Sequence, residues 1–401
     1  MAAQEYPAPE SVSRLQTRAF GVGAMALLLA IYGAIHSPET FFPSYLMSFL
    51  LVLGLALGSL GLVMLQHLTS GHWGIIIRRP LESATRTLPL LAIAFLPIAV
   101  FGMRYLYAGH GGEKGWLNAP ASGEGALSDF QKSYLTHNGY LYRAVIYFAV
   151  WLGLMFIFNI LSKQQDTNRT DGALRQRFKM LAGPGIILYV FAMSFAAIDW
   201  VMSISPHWAS TIYGFLFVAG QLISSMAFMI AVVVLLARTE PFAGILQLRH
   251  LHDLGKLLLA FVMLWAYFDF SQLLIIWSGN LPEEISFYRT RLYGEWGIVA
   301  VIVVVFHFFV PFFLLLSQDL KRNAKVLPKI ALWLILMRLI DLFWMTRPEF
   351  TSSAVPSWLD LVLPIALGGL WLGFFAFNLR QCPLLPLGDP DLAEAIKNHE
   401  H

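Results

Sequence analysis

The sequence predicts an all-α integral membrane protein with about ten transmembrane helices. Three observations carry that expectation. Hydrophobic residues make up 57% of the chain and charged residues 13%, where soluble domains hold about a quarter charged. Ten apolar runs approach the ~20 residues needed to cross ~30 Å of hydrocarbon. Positive charge also alternates from loop to loop.

The runs lie at 19–35, 44–67, 88–106, 141–161, 181–202, 210–236, 256–278, 294–316, 330–346 and 359–379. No small-residue cleavage site follows the first, so a retained helix is expected rather than a removed signal peptide. An even number of spans puts both termini on one side. The tails and the loops expected on that side hold nineteen Lys and Arg, counting Lys256 at the edge of the seventh run, and the alternate loops hold five. By the positive-inside rule both termini are expected in the cytoplasm. The net charge of +3 then reflects topology and not affinity for nucleic acid.

A single membrane domain, 1–401, is expected. Spans 2–5 (44–202) and 6–9 (210–346) would form two four-helix bundles that begin on the same face, with 19–35 and 359–379 as peripheral helices and 380–401 as a cytoplasmic tail. A parallel repeat of this kind differs from the inverted repeats of many transporters. The longest loop, 107–140, reads as a cap or docking surface. The tail opens with QCPLLPLGDPD, whose prolines cannot continue a helix, and offers at most a short surface helix after it.

The single cysteine, Cys382, excludes an internal disulfide, a Cys-ligated iron–sulfur cluster and a Cys-x-x-Cys-His haem site. Of eleven histidines only His307 falls near the middle of a span, so an intramembrane bis-histidine haem is not expected either. No cofactor is expected in this chain.

Ionisable groups at bilayer depth cost ~3 kcal/mol or more, so they pair and face protein or water. Asp269 in WAYFDFSQ, with Tyr267, Ser271 and Gln272 nearby, His307 in VVVFHFF, and Arg338 and Asp341 in LMRLIDLFW are such groups. Arg338 and Asp341 are three apart, on one helix face. They read either as a neutralised pair pinning span 9 to its neighbours or as part of a proton route. In that route Asp341, His307 and Asp269 exchange protons through water and reach towards Asp199.

Asp199 opens the corner DWVMSISPHWASTIYG, where Ser203, Ser205 and Pro206 are turn formers and Ser210 or Thr211 is expected to cap the next helix. Trp200 and Trp208 fit an interfacial aromatic belt. With His207 they form a candidate docking corner on the outer face, the alternative being a purely structural turn. On the cytoplasmic side LQHLTSGHWGIIIRRPLESATRT reads as the loop between spans 2 and 3. His67, His72 and Glu82 are candidates there for a proton entrance, beside Arg78 and Arg79, and the alternative is a solvated anchor. His67 and His72 lack the third ligand that a metal needs.

DWVMSISPHWASTIYG, HLHDLGKLLLAFVMLWAYFDFSQLLIIWSGNLPEE at 250–284 and WGIIIRRPLE resemble the NrfD-like, polysulfide-reductase membrane-subunit family. Within it the chain is similar to the shorter such subunit of bacterial alternative complex III, a quinol:cytochrome c oxidoreductase. The resemblance implies two back-to-back four-helix bundles in a bacterial inner membrane. The implied partners are a longer NrfD-like subunit, an iron–sulfur subunit and c-type cytochromes, which carry the iron–sulfur clusters and haem c and pass electrons from quinol to cytochrome c or a similar acceptor. The longer paralogue has Pro-x-x-His-x-Gly near the end of span 3, where this chain reads PIAVFG with Val100 at the histidine. Its Trp-Asp pair corresponds to Tyr142 and Arg143 here. Quinol oxidation needs a proton acceptor beside the head group, so the resemblance implies a non-catalytic subunit that supports the complex, and the buried charges add proton conduction as its candidate role. A secondary transporter and a passive scaffold are the rival readings. The chain lacks a matched pair of Gly/Pro-interrupted spans in inverted positions, which counts against the transporter.

Overall fold

In the computed structural model, residues 6–71, 73–109, 115–120, 122–123, 125–167, 172–390 and 392 are described. These residues form helices and no strand. Among the described residues nine helices are long and apolar enough to cross a membrane. In chain order, with one further long helix, they are α1 (Glu10–His36), α2 (Pro38–Thr69), α3 (Trp73–Leu106), α4 (His137–Thr167), α5 (Gly172–Trp200), α6 (Tyr213–Leu236), α7 (Leu248–Gly279), α8 (Gly294–Leu316), α9 (Leu327–Thr346) and α10 (Trp358–Leu379). The further helix is α9, whose 20 residues are interrupted by Lys329, Arg338 and Asp341.

The most apolar stretch of α2 is wholly buried, and α2 and α6 pack on each other at the centre. Around them, α6 also meets α5, α7 and α9, while α2 meets α3, α5 and α10. Small residues permit the central crossing, as they do between membrane helices generally. Gly54, Gly58 and Gly61 recur along α2, and a Cβ at Gly58 would lie 2.2 Å from the Gln221 carbonyl oxygen. The Ser225 hydroxyl donates across the crossing to the Leu55 carbonyl at 2.8 Å. The stripe Ala19, Gly23, Ala26, Ala30, Gly33 of α1 is buried against α10, where a Cβ on Gly23 would come within 2.6 Å of the Leu370 nitrogen. So α1 rides on α10, but α10 itself touches α2 and α3.

All the segments counted as basic gather at one end. The Leu384 N–H donates to the Tyr6 carbonyl at 3.1 Å, Arg380 reaches Gln16, and Arg78 pairs with Asp389. Ile75, Ile245, Leu385 and Leu392 share an apolar cluster, and Lys321 lies against Gly255. The opposite end is closed by Tyr107 with Tyr140, Arg291 with Glu349 at 2.7 Å, and Arg347 with Asp360.

Three local expectations need correction. Residues 73–85 are helical and buried rather than a solvated loop, because Arg78 and Arg79 pair with Glu82 within the turn and with Asp389 and Asp166 from elsewhere in the chain. The tail, expected as a cytoplasmic extension with at most a short surface helix, packs into the molecule at its start, where Cys382, Leu384 and Leu385 are buried. Burial holds the Cys382 thiol above its ordinary pKa. The short surface helix expected beyond it falls mostly on residues outside those described. Finally, α6 starts at Tyr213 behind Ile212 with no side-chain cap, and the Ser210 hydroxyl instead donates to Gln272 at 3.1 Å.

Candidate functional site

The ionisable residues singled out on α7, α8 and α9 occupy one region of the molecule. Arg338 and Asp341 form an ion pair one helical turn apart, each about 3% exposed in its side chain. The guanidinium lies over Gly220 of α6, where a Cβ would be 2.2 Å from Cζ, and its Cζ is 5.6 Å from the Phe217 ring centroid. Glycine at 220 is therefore what admits an arginine at this depth.

His307 is fully buried, and neither ring nitrogen has a hydrogen-bond partner among the described residues. Its ring stacks on Trp265 of α7 at 4.3 Å between centroids. It sits in a π-helical turn, Val304–Phe309. Pro311 lacks the N–H that would reach the His307 carbonyl four residues earlier, and the turn widens. Such widened turns are frequent at functional sites.

Asp269 is one helical turn beyond Trp265 and forms no hydrogen bond among the described residues. Tyr267, Ser271 and Gln272 do not partner it. Tyr267 is exposed, and the Gln272 amide donates to the Tyr288 hydroxyl at 3.1 Å. The Asp269 side chain instead lines a 580 Å³ cavity between α7 and α8 whose other walls include Trp265, Phe270, Phe308 and Phe309. Arg338 and Asp341 lie within electrostatic range of it.

Asp199 belongs to a separate cluster. Arg143 of α4 grips both of its carboxylate oxygens, from Nε at 2.8 Å and from Nη2 at 3.0 Å, and the Tyr147 hydroxyl adds a third bond at 2.7 Å. Arg143 also donates to the Tyr134 carbonyl and stacks over the Tyr134 ring at 3.8 Å. Burial, with the Asp199 charge nearby, pushes the Tyr134 hydroxyl up to about 12. Asp199 thereby ties the short helix Asp129–Tyr134 to α4 and α5. It has no bond to Asp269, His307, Arg338 or Asp341. Of the corner residues, His207 is exposed, while Trp200 and Trp208 are buried. Trp200 packs against Phe95, and Trp208 stacks on Phe287 at 3.9 Å. They are core residues of this chain rather than an aromatic belt.

At the basic end Glu82 accepts from Arg78 at 3.0 Å, Arg79 at 2.7 Å and Ser162 at 2.6 Å, so all its acceptor capacity faces cations and a hydroxyl. Arg79 also pairs with Asp166. His67 is buried and stacks on Phe178 at 3.9 Å, with its Nε2 unbonded. His72 lies outside the described residues.

Sequence reasoning missed Trp265, Tyr147, Gly220 and Tyr213. The first two carried a signal, since each stands four residues from a named charge on the same helix, Asp269 and Arg143. Tyr213 has an unbonded buried hydroxyl within electrostatic range of both the Arg338–Asp341 and Arg291–Glu349 pairs. Among the described residues, no three His, Cys, Asp or Glu gather as a metal would require. Compared with known proteins, the chain matches no family model and no curated protein.

Proposed function

We propose that this chain is a cofactor-free membrane subunit of a quinol:cytochrome c oxidoreductase of the alternative complex III type, and that α7, α8 and α9 carry a proton-conducting step. In this reading the chain crosses a bacterial inner membrane ten times with both termini in the cytoplasm. Helices α2–α5 and α6–α9 are its two bundles, and a longer NrfD-like subunit, an iron–sulfur subunit and c-type cytochromes are its partners.

The observation that carries the proton step is the contrast in hydrogen bonding. The carboxylates of Asp199 and Asp341 are engaged by arginines, whereas His307 keeps two unbonded ring nitrogens and Asp269 lines a cavity with no hydrogen bond among the described residues. Intramembrane carboxylates and histidines are the usual members of proton relays. Arg338 balances Asp341, and the Tyr213 hydroxyl extends the series towards the outer end. Quinol oxidation itself is assigned to the longer partner. Val100, at the position of the paralogue's histidine, is 65% exposed on a π-helical turn, and Arg143 is already held by Asp199.

The test is the number of protons moved per electron by the whole complex in sealed vesicles, measured together with its quinol oxidation rate. His307→Gln and Asp269→Asn are expected to lower proton movement while the assembled complex still oxidises quinol. Unchanged stoichiometry and rate in both assembled variants would refute conduction and leave a passive scaffold. Isolation of the chain without haem or iron–sulfur partners would refute the subunit assignment.

A further inference from the structure

A 590 Å³ cavity opens at the basic end between α4, Arg86 of α3 and the tail at Gln381–Pro383. Its α4 wall includes the series Phe156, Asn159, Ile160 and Lys163, spaced i, i+3, i+4, i+7 and so on one helix face, with Asp166 and Thr167 at its end. Along that face the chemistry changes with depth. Phe156 and Ile160 are each 54% exposed, and Lys163, nearer the end of the helix, is exposed as well.

The cations on this wall are held ready for an anion. Asn159 accepts from Arg86 Nε at 2.6 Å, and its own amide donates to Thr85 Oγ1 at 3.0 Å and the Met155 carbonyl at 2.8 Å. The amide cannot rotate without losing three bonds, so it fixes the guanidinium by its inner nitrogen. The two terminal amino groups of Arg86 have no hydrogen bond among the described residues, and neither has the Lys163 ammonium. The nearby carboxylates are already engaged, Asp166 with Arg79 and Glu82 with Arg78 and Arg79. A planar fork beside a mobile ammonium suits a phosphate, which arginine binds with two parallel N–H groups and lysine as a point charge.

We propose that this cavity binds an anionic glycerophospholipid. Its phosphate sits on Arg86 and Lys163, and its acyl chains run along Phe156 and Ile160. The apolar wall continuous with the cationic one favours a lipid over a soluble phosphate, which would have no use for it. Basic pockets between membrane helices on the cytoplasmic side recognise lipid head groups in this way. The site is independent of the proton step proposed above.

The experiment uses the full chain in detergent micelles, mixed with phosphatidylglycerol or phosphatidylcholine, with retained lipid counted by native mass spectrometry. One phosphatidylglycerol is expected to be held in preference to phosphatidylcholine. Arg86→Gln with Lys163→Gln is expected to weaken that retention about thirtyfold, the combined effect of two cations beside anionic lipid, while Lys325→Gln, exposed at the same end and away from the cavity, leaves it unchanged. If the double variant does not fold, Lys163→Gln alone alters only an exposed side chain and should still weaken retention about fivefold. Equal retention of the two lipids, wild-type retention in the variants, or displacement of the lipid by millimolar inorganic phosphate would each overturn the assignment.

Discussion

Replacing Asp341 by Asn should be among the most destabilising isosteric changes in this chain. The substitution keeps the side-chain shape but leaves Arg338 about 3% exposed with its ion-pair partner gone. The guanidinium cannot swing to water, because Gly220 and Phe217 wall it on the α6 side. Unpairing a buried ion costs ~3–5 kcal/mol in soluble proteins, and an arginine at mid-helix in a bilayer costs ~3 kcal/mol, so a loss of about 3 kcal/mol is expected. Arg338→Met should cost about the same, since it strands Asp341. Arg338→Met combined with Asp341→Leu removes both charges and should lie within about 1 kcal/mol of the parent, as apolar replacements of buried pairs usually do. The assay is reversible denaturant unfolding of the purified chain in mixed micelles, followed by circular dichroism, and the parent, Arg338→Met, Asp341→Leu and the double variant form the double-mutant cycle. A coupling energy of at least about 3 kcal/mol is expected. Additive single effects, with coupling below about 0.5 kcal/mol, would refute the argument, because residues that do not interact add.

Gly58→Ala should lose about 1–3 kcal/mol in the same assay, since the new Cβ meets the Gln221 backbone oxygen at 2.2 Å and a backbone atom cannot rotate aside. Gly153→Ala, with nothing within 4 Å, should be neutral or slightly stabilising because alanine is the better helix former, and a comparable loss there would undo the contrast. Val100→Ala should change quinol oxidation by the intact complex less than about tenfold, equivalent to about 1.4 kcal/mol of barrier; a larger drop would place turnover beside this chain. Cys382 should react with a maleimide at neutral pH about tenfold slower than a cysteine introduced at the exposed Lys325. Its thiol is buried and its pKa raised, and the thiolate is the nucleophile. The rate should climb as pH rises through the raised pKa, and fast labelling at pH 7 would show the tail open.

The legible features were those set by composition and short spacing. Runs of apolar residues mark the helices because hydrocarbon demands length, and Arg338–Asp341 was legible because three residues on a helix share a face. The pairs Arg143–Asp199 and Arg78–Asp389 were not, since they join residues 56 and 311 apart and no periodicity links such positions. The same gap explains Trp200 and Trp208. A tryptophan near a span end reads as a belt residue, and only the packing of α5 on Phe95, and of the turn on Phe287, turns it inward. Residues 73–85 read as a loop because three charges in five positions look solvated. Their neutralisation depends on Ser162, Asp166 and Asp389 arriving from elsewhere.

The buried charges divide by what surrounds them. At the basic end Glu82 is bonded to two arginines and a serine, and at the other end Asp199 is bonded to an arginine and a tyrosine. A carboxylate so enclosed must break those bonds to take up a proton, and each bond to a charged group contributes about 1.5–3 kcal/mol. These clusters pin helices together, and neither Glu82 nor Asp199 suits the relay role first considered for it. His307 and Asp269 stand apart because taking up a proton there would break no side-chain hydrogen bond, one in a widened turn against Trp265 and the other at a cavity wall. Any conduction by this chain therefore falls to α7 and α8, with Arg338 and Asp341 setting the charge beside them, and a variant at Glu82 or Asp199 should act on stability before it acts on protons.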